Sequence, residues 1–326
     1  MSTYNLQTNV TVKDETEYED LLSLWSDLEA GLGVLLANPS NVQEFEARVH
    51  QYSRWMQDLL VRDPDLGLYL LFQLATNSTV GYSTSHSVVS AVLCYLLSQE
   101  LDLSPTESTS LVCAAFTMNV AMTALQNQLA SQTERPSPGQ LDQIKWHTSK
   151  GSLMLANLGI TDALWLDVVT LHHDDRTDQG QLGSVAPNFR LARILRIVDR
   201  YAAMISPRQS RTGRSTADSI RSIVNSSTQH LDEVGHALIR VVGLYPPGTY
   251  VRLENGAIAV VVRRSDAANL PHVALVIDDN GEALSLPRLH TTSGGQNSIQ
   301  SALAASAVHL QLNHHMVLQL AAQINA

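Results

Sequence analysis

Four histidines and an aspartate carry the chemistry that this sequence could support: His86, His147, His172, His173 and Asp199. Imidazole and carboxylate ligands together suit Fe, Mn or Zn. A histidine taken alone is more often a packed or surface residue than a ligand, so the adjacent pair matters most. His172-His173 closes an apolar stretch (Leu166, Val168, Val169, Leu171) and is followed by Asp174-Asp175. The other chemically capable residues read as structural. His314-His315 has no acidic or cysteine partner nearby in sequence and forms a polar face beside Met316, Val317 and Leu318. Cys94 and Cys113 lie in apolar runs, as small buried hydrophobes do. The arginines at 190, 193, 196 and 200 are spaced along one helix, as a charged face with acidic partners.

Positioning such a set requires several helices that converge, as ligands do in a bundle core. Leu21, Leu22, Leu24, Trp25, Leu28, Leu32 and Leu35 recur at helical spacing up to the break at Asn38-Pro39. Ser40 and Gln43 predict a capped start for a second helix carrying Phe45, Val49, Tyr52, Trp55, Met56 and Leu59. Leu68 to Leu74 and Ser87 to Leu97 predict two more. Ser104, Pro105 and Glu107 predict the start of a helix running to about Ala130. Ser137 and Gln140 cap the helix bearing His147, with Gly159 at its C-terminal end, and Thr161-Asp162 opens the one reaching His172 and His173. Asn188 to Ile205 is helical by pattern and carries Asp199, and two shorter helices are expected over 215–242. After Gly243 the texture changes. Glu254-Asn255-Gly256 and Asp279-Asn280-Gly281 sit between apolar runs and predict two hairpins. Residues 298–324 read as a last amphipathic helix. The expectation is a mainly α protein, a helical bundle with a small C-terminal antiparallel β subdomain. The divisions read are 1–62 (N-terminal helical segment), 63–243 (helical domain), 244–290 (β subdomain) and 291–326 (helical tail).

The composition narrows the classes. With 44% hydrophobic and 16% charged residues over 326 positions, the chain can bury a sizeable core. A net charge of -10 argues against sequence-independent nucleic-acid binding, which needs basic surface to neutralise phosphates, so no DNA partner is expected. The first 20 residues lack a signal peptide's basic start and apolar run. The most apolar run, Leu111 to Leu125, falls short of the about 20 residues a membrane helix needs, so the expectation is cytoplasmic, without membrane contact.

From about Asp63 to Leu286 the sequence resembles the HD-GYP cyclic di-GMP phosphodiesterases. Tyr82-Ser83-Thr84-Ser85-His86-Ser87-Val88 resembles the surroundings of that family's first ligand histidine, and His147-Thr148-Ser149-Lys150-Gly151 its third-histidine segment. His172-His173-Asp174 resembles its paired-histidine motif, residues 191–203 the helix supplying its last aspartate, and residues 245–253 the opening of its small strand region. The resemblance implies an HD-type bundle with metal ligands at His86, His147, His172, His173 and Asp199. It implies phosphate contacts at Arg208 and Arg211, for which a solvated surface turn is the competing reading.

The departures bear on function. Where active members carry a His-Asp dipeptide, then Lys, this chain has Met118, Asn119 and Met122. Tyr82 replaces an acid that some members use, and the Gly-Tyr-Pro motif is missing, the matching stretch being residues 178–183. The family's Asp bridges two metals. Asn119 is neutral, and the thioether of Met118 is a poor match for Fe(II), Mn(II) or Mg(II). Without a bridged pair, the activation of water and stabilisation of charge that phosphodiester hydrolysis requires are lost. What remains is either a site for one divalent ion (Fe, Mn or Zn) or a set of hydrogen-bonded histidines. The expectation is a degenerate pseudoenzyme that binds cyclic di-GMP or a related nucleotide, or a signalling protein such as a diguanylate cyclase domain. The alternatives are an active phosphohydrolase with an altered metal site, and an oligomerising helical protein whose Trp25 and Trp55 helices form a homodimer surface.

Overall fold

The computed structural model describes residues 15–77, 80–178, 180–206, 209, 218–219, 222, 233–267, 269–308, 310 and 312–325. It is mainly helical, with a small antiparallel sheet near the C-terminus, as the patterning predicts. The described helices are α1 (Glu15–Ala37), α2 (Phe45–Arg62), α3 (Pro64–Asn77), α4 (Tyr82–Glu100), α5 (Pro105–Thr117), α6 (Thr123–Ser131), α7 (Pro138–Asn157), α8 (Ala163–Leu171), α9 (Pro187–Ile205), α10 (Glu233–Val242) and α11 (His314–Ala322). The strands are β1 (Tyr250–Leu253), β2 (Ile258–Arg263), β3 (His272–Ile277), β4 (Ala283–Thr291) and β5 (Ile299–Leu303).

The central helix is α4, which packs against α3, α5, α6, α9 and α10. Its burial runs almost without interruption from Ser83 to Cys94, around the whole helix rather than along one stripe, as befits a helix surrounded by others. Local signals start the helices that reach the site. Ser104 and Ser137 each form a capping box, with Glu107 and Gln140 returning the bond. Asp162 caps α8 by accepting from Leu164 N and Trp165 N.

Three expectations fail in instructive ways. The helix from Ser104 does not run to Ala130. It stops at Thr117, passes through a 3-10 turn at Val120–Met122 and resumes as α6. Asn119 sits at φ -106°, ψ 13°, outside the helical region, and its carbonyl accepts Met122 N at 2.8 Å. That i→i+3 backbone bond closes the 3-10 turn that interrupts the helix. Secondly, Ser40 caps nothing. A 3-10 turn spans Pro39–Asn41, and α2 starts later, after Glu44 in a left-handed conformation at φ 54°. Thirdly, the tail is not one helix. Residues 299–303 become β5 and pair with β1, while only His314–Ala322 is helical. A short strand gains a full hydrogen-bond ladder at a sheet edge, which local periodicity does not report. The resulting order is β4-β3-β2-β1-β5. The hairpin turns lie where Asn-Gly predicted them, with Gly256 and Gly281 both at positive φ.

The sheet is fastened to the helices by buried charge. Arg263 donates to both carboxylate oxygens of Asp63, at 3.2 and 2.5 Å, and to Ala321 O at 2.7 Å. Neighbouring Arg264 pairs with Asp65 at 2.5 Å. Gly248, at φ +88°, lets the chain approach α3. A Cβ there would meet Tyr69 O and Phe72 Cβ at 3.0 Å. Pro105–Ser131 is long and apolar enough to cross a membrane, but its most apolar stretch is 72% buried within the protein, and the chain breaks at residues 118–122.

Candidate metal centre

The chain delivers its histidines from three helices. His147 lies in the middle of α7, facing inward, while its neighbours Trp146 and Lys145 face out. His172 and His173 follow the last turn of α8. His172 is fully buried and His173 is exposed. The base of α8 is held by its Asp162 cap, whose second oxygen accepts Ser110 Oγ at 2.6 Å, and by the Trp165 indole, which donates to Thr117 Oγ1 at 2.8 Å. Thus α5, which ends at the break, also braces the helix that presents the histidine pair.

One ligand nitrogen from each of His147, His172 and His173 lies within 4.8 Å of the other two. Backbone carbonyls fix two of the rings. His147 Nδ1 sits 2.6 Å from Ile144 O and His172 Nδ1 2.8 Å from Val169 O. A carbonyl can only accept, so both Nδ1 atoms carry the proton and both Nε2 atoms of the neutral rings present lone pairs. Those Nε2 atoms face each other at 3.4 Å. Two lone pairs in that position repel unless a cation or proton lies between them. Burial, then the neighbouring His173, pushes the pKa of His172 down to about 3, and burial likewise lowers that of His147, so a shared proton is disfavoured. A tetrahedral ion with nitrogens at about 2.0–2.1 Å requires neighbouring nitrogens about 3.3 Å apart, which matches the observed spacing. His147 and His172 are thus spaced as two ligands of one divalent ion, with His173 within 4.8 Å to complete a three-imidazole set and the Nδ1–H···O=C bonds as the outer shell such ligands need.

The remaining two candidates form a separate pair. His86 Nε2 lies 2.7 Å from Asp199 Oδ1, linking α4 to α9, and Tyr82 stacks on the His86 ring at 5.7 Å and 12°. Burial opposes the charge on Asp199, but the His86 hydrogen bond and charge, aided by His173 and His172, outweigh it and hold the carboxyl well below its usual range. The Asp199 charge thus acts on the histidine cluster as well. Buried His86 Nδ1 has no hydrogen-bond partner among the described residues.

The Met118 and Asn119 side chains are buried at the end of α5. Asn119 Nδ2 has no hydrogen-bond partner among the described residues, a rarity for a buried amide. Gly151, one turn beyond His147, marks where α7 packs against this segment, and a Cβ there would make only ordinary contact, 3.7 Å from Met118 O. Arg208 and Arg211 lie outside the described residues. Of the helix-lining arginines, Arg190 pairs with Glu107, Arg196 with Asp175 at 2.7 Å, and Arg193 donates to Gly180 O at 2.9 Å.

Sequence reasoning missed the clamp at the start of α4, where Asn127 Oδ1 accepts Ser83 N at 2.8 Å and Gln126 Oε1 accepts Ser83 Oγ at 2.7 Å. It also missed a Cys113–His50 contact at 3.5 Å, with Glu46 at 3.9 Å from the same ring. That trio has the residue types of a nucleophilic triad, but burial pushes the Cys113 thiol far up, so it stays protonated and inert.

No protein-family model matches the chain. Over 248 residues it is 27% identical to the cyclic di-GMP phosphodiesterase PA4108 of Pseudomonas aeruginosa, a match covering 75% of this chain and 56% of that one. The chain thus spans little more than half the length of that relative. The fold is similar to that of Bd1817, an HDG"Y"P protein from Bdellovibrio bacteriovorus, with a TM-score of 0.53 at 15% identity, covering 73% of this chain and 76% of that one. In sequence and in fold the chain is thus similar to HD-GYP proteins. HD-GYP proteins use divalent metals, and this chain has a histidine cluster whose donors suit one.

Proposed function

We propose that this protein is a regulatory binding member of the HD-GYP family that does not hydrolyse cyclic di-GMP, and that it holds a single divalent ion, zinc or iron, on His147, His172 and His173. The observation that carries the reading is the nature of residues 118 and 119. At the positions corresponding to the His-Asp pair stand a fully buried thioether and a buried neutral amide. Neither can bring two cations together, because that needs a charged group with two free oxygens. A metal on three histidines supplies a Lewis acid for a phosphate oxygen or lowers the pKa of a bound water. This chain's own contribution is narrower. The Ile144 and Val169 carbonyls orient two rings, the buried flank of His172 excludes water, and exposed His173 leaves one side open to a ligand. The natural ligand is a cyclic dinucleotide such as cyclic di-GMP, or a signalling protein that senses whether the site is filled.

The deciding experiment is cyclic di-GMP hydrolysis by excess protein under anaerobic conditions with Fe(II) or Mn(II), run beside equilibrium dialysis of the nucleotide. Saturable binding without turnover supports the proposal. Turnover that disappears in His172→Ala would mean the chain is an active phosphodiesterase with an altered metal site. That second reading draws on the intact three-histidine cluster. Metal analysis of the purified protein tests both, since each needs a bound ion.

A further inference from the structure

A cavity of about 440 Å³ opens between three parts of the chain: the turn after α1, the broken α5–α6 segment, and one face of α7. Its volume lies in the range of small-molecule sites. The lining is unusual in having no ionisable side chain. Three primary amides face it, from Asn38, Asn41 and Gln143, over an apolar floor that includes Leu36, Met122 and Met154. None of the three amides has a side-chain hydrogen bond among the described residues, so their donors and acceptors are free for a ligand. Gln143 and Met154 lie four residues before and seven after His147 on α7, so the cavity runs along the helix that bears the metal candidate but is not part of it.

This lining excludes one ligand class and favours another. A phosphate would leave water for a wall without a cation, whereas proteins meet phosphate with arginine or lysine. A flat neutral heterocycle finds what it needs here. Each amide presents a donor beside an acceptor, the pattern that pairs with a purine edge. Thioethers pack well against aromatic ring faces and edges. We propose that this cavity is a binding site for an uncharged purine nucleoside or free base, distinct from the metal centre. Residues 36–41 precede the stretch that resembles the family's phosphodiesterases, and they build one whole wall. An occupied cavity therefore ties the α1–α2 turn to α6 and α7, reporting the ligand to the segment that carries Met118 and Asn119.

The test is titration of full-length protein with guanosine and adenosine by isothermal calorimetry, with hydrogen exchange read at residues 36–44. The expected result is a saturable isotherm and slower exchange in that turn. Asn41→Leu with Gln143→Leu should weaken binding about tenfold or more, the loss of two hydrogen-bonding groups. Ala124→Trp, at an exposed position on the rim, should do the same without touching the core. His172→Ala should lose metal yet bind nucleoside within about twofold, so the two proposals fail separately. No saturable binding up to the solubility limit would overturn the inference, as would binding that both sets of variants leave unchanged. Binding of cyclic di-GMP but not of nucleosides, lost in the same variants, would overturn the neutral ligand class.

Discussion

The two ends of α5 and α8 make an instructive contrast. Around the end of α8 the donors are arranged as ligands would be: two rings have their tautomers fixed by carbonyls, their Nε2 atoms lie 3.4 Å apart, and a third ring lies beside them. At the end of α5, which braces α8 through Thr117, the side chains are a thioether and an amide whose nitrogen has no partner among the described residues. The scaffold is shared and the donors are not. Coordination depends on the atoms presented as much as on the fold that presents them, so one scaffold can offer metal donors at one end and none at the other. The strongest way to break the contrast is His172→Ala. It should lower zinc affinity by more than the 10–100-fold that loss of an outer-shell partner costs, as measured by competition with a chelator. An unchanged metal content would mean that the cluster at α8 is as empty of function as the residues at 118 and 119.

Asn119→Asp attacks the contrast from the other side. It places a carboxylate where a neutral amide now lies buried, and an unpaired buried charge costs several kcal/mol. The metal-free variant should therefore unfold at a lower temperature at pH 7. If the end of α5 lies close enough to the histidines to share an ion, added Mn(II) or Zn(II) should restore more of that stability in the variant than it adds to the parent protein. Equal metal effects on both would place position 119 out of reach of any ion at the cluster. With Met118→His added, a rise from one metal to two per chain would sharpen the comparison further.

How much of this was legible beforehand depends on how local each signal is. The caps at Ser104, Ser137 and Asp162 and the turns at Gly256 and Gly281 were readable because a cap or turn is decided within four residues. The separation of the five candidate ligands into a histidine trio and a His86–Asp199 pair was not, because it depends on how α4, α7, α8 and α9 pack. The break after Thr117 was hidden inside an apolar run whose composition suits a continuous helix. β5 was read as helix because its pairing partner, β1, lies some 50 residues earlier, beyond any window of periodicity. The cavity wall at 38–41 carried only a helix break and a cap signal, neither of which points to a ligand. Its amides acquire meaning only when α6 and α7 are brought opposite them.

Smaller effects follow from the two caps that serve the histidine helices, and they divide the contrast more finely. Asp162→Ala removes the cap of α8 together with the acceptor for Ser110 Oγ. It should cost about 1 kcal/mol by urea denaturation, the usual cost of a lost cap, because Ser110 Oγ can still donate to Thr106 O at 3.1 Å. Zinc affinity should fall with it, because His172 and His173 hang from the far end of that nine-residue helix. Ser137→Ala removes the capping box of α7, where both bonds are exposed to solvent. It should cost about 0.5–1 kcal/mol and leave zinc affinity unchanged. His147 lies ten residues and nearly three turns further on, and the effects of a cap fade within the first turn. If Ser137→Ala weakened zinc as much as Asp162→Ala, ligand positioning would depend on helix stability in general, and the local bracing of α8 by α5 would carry no special weight.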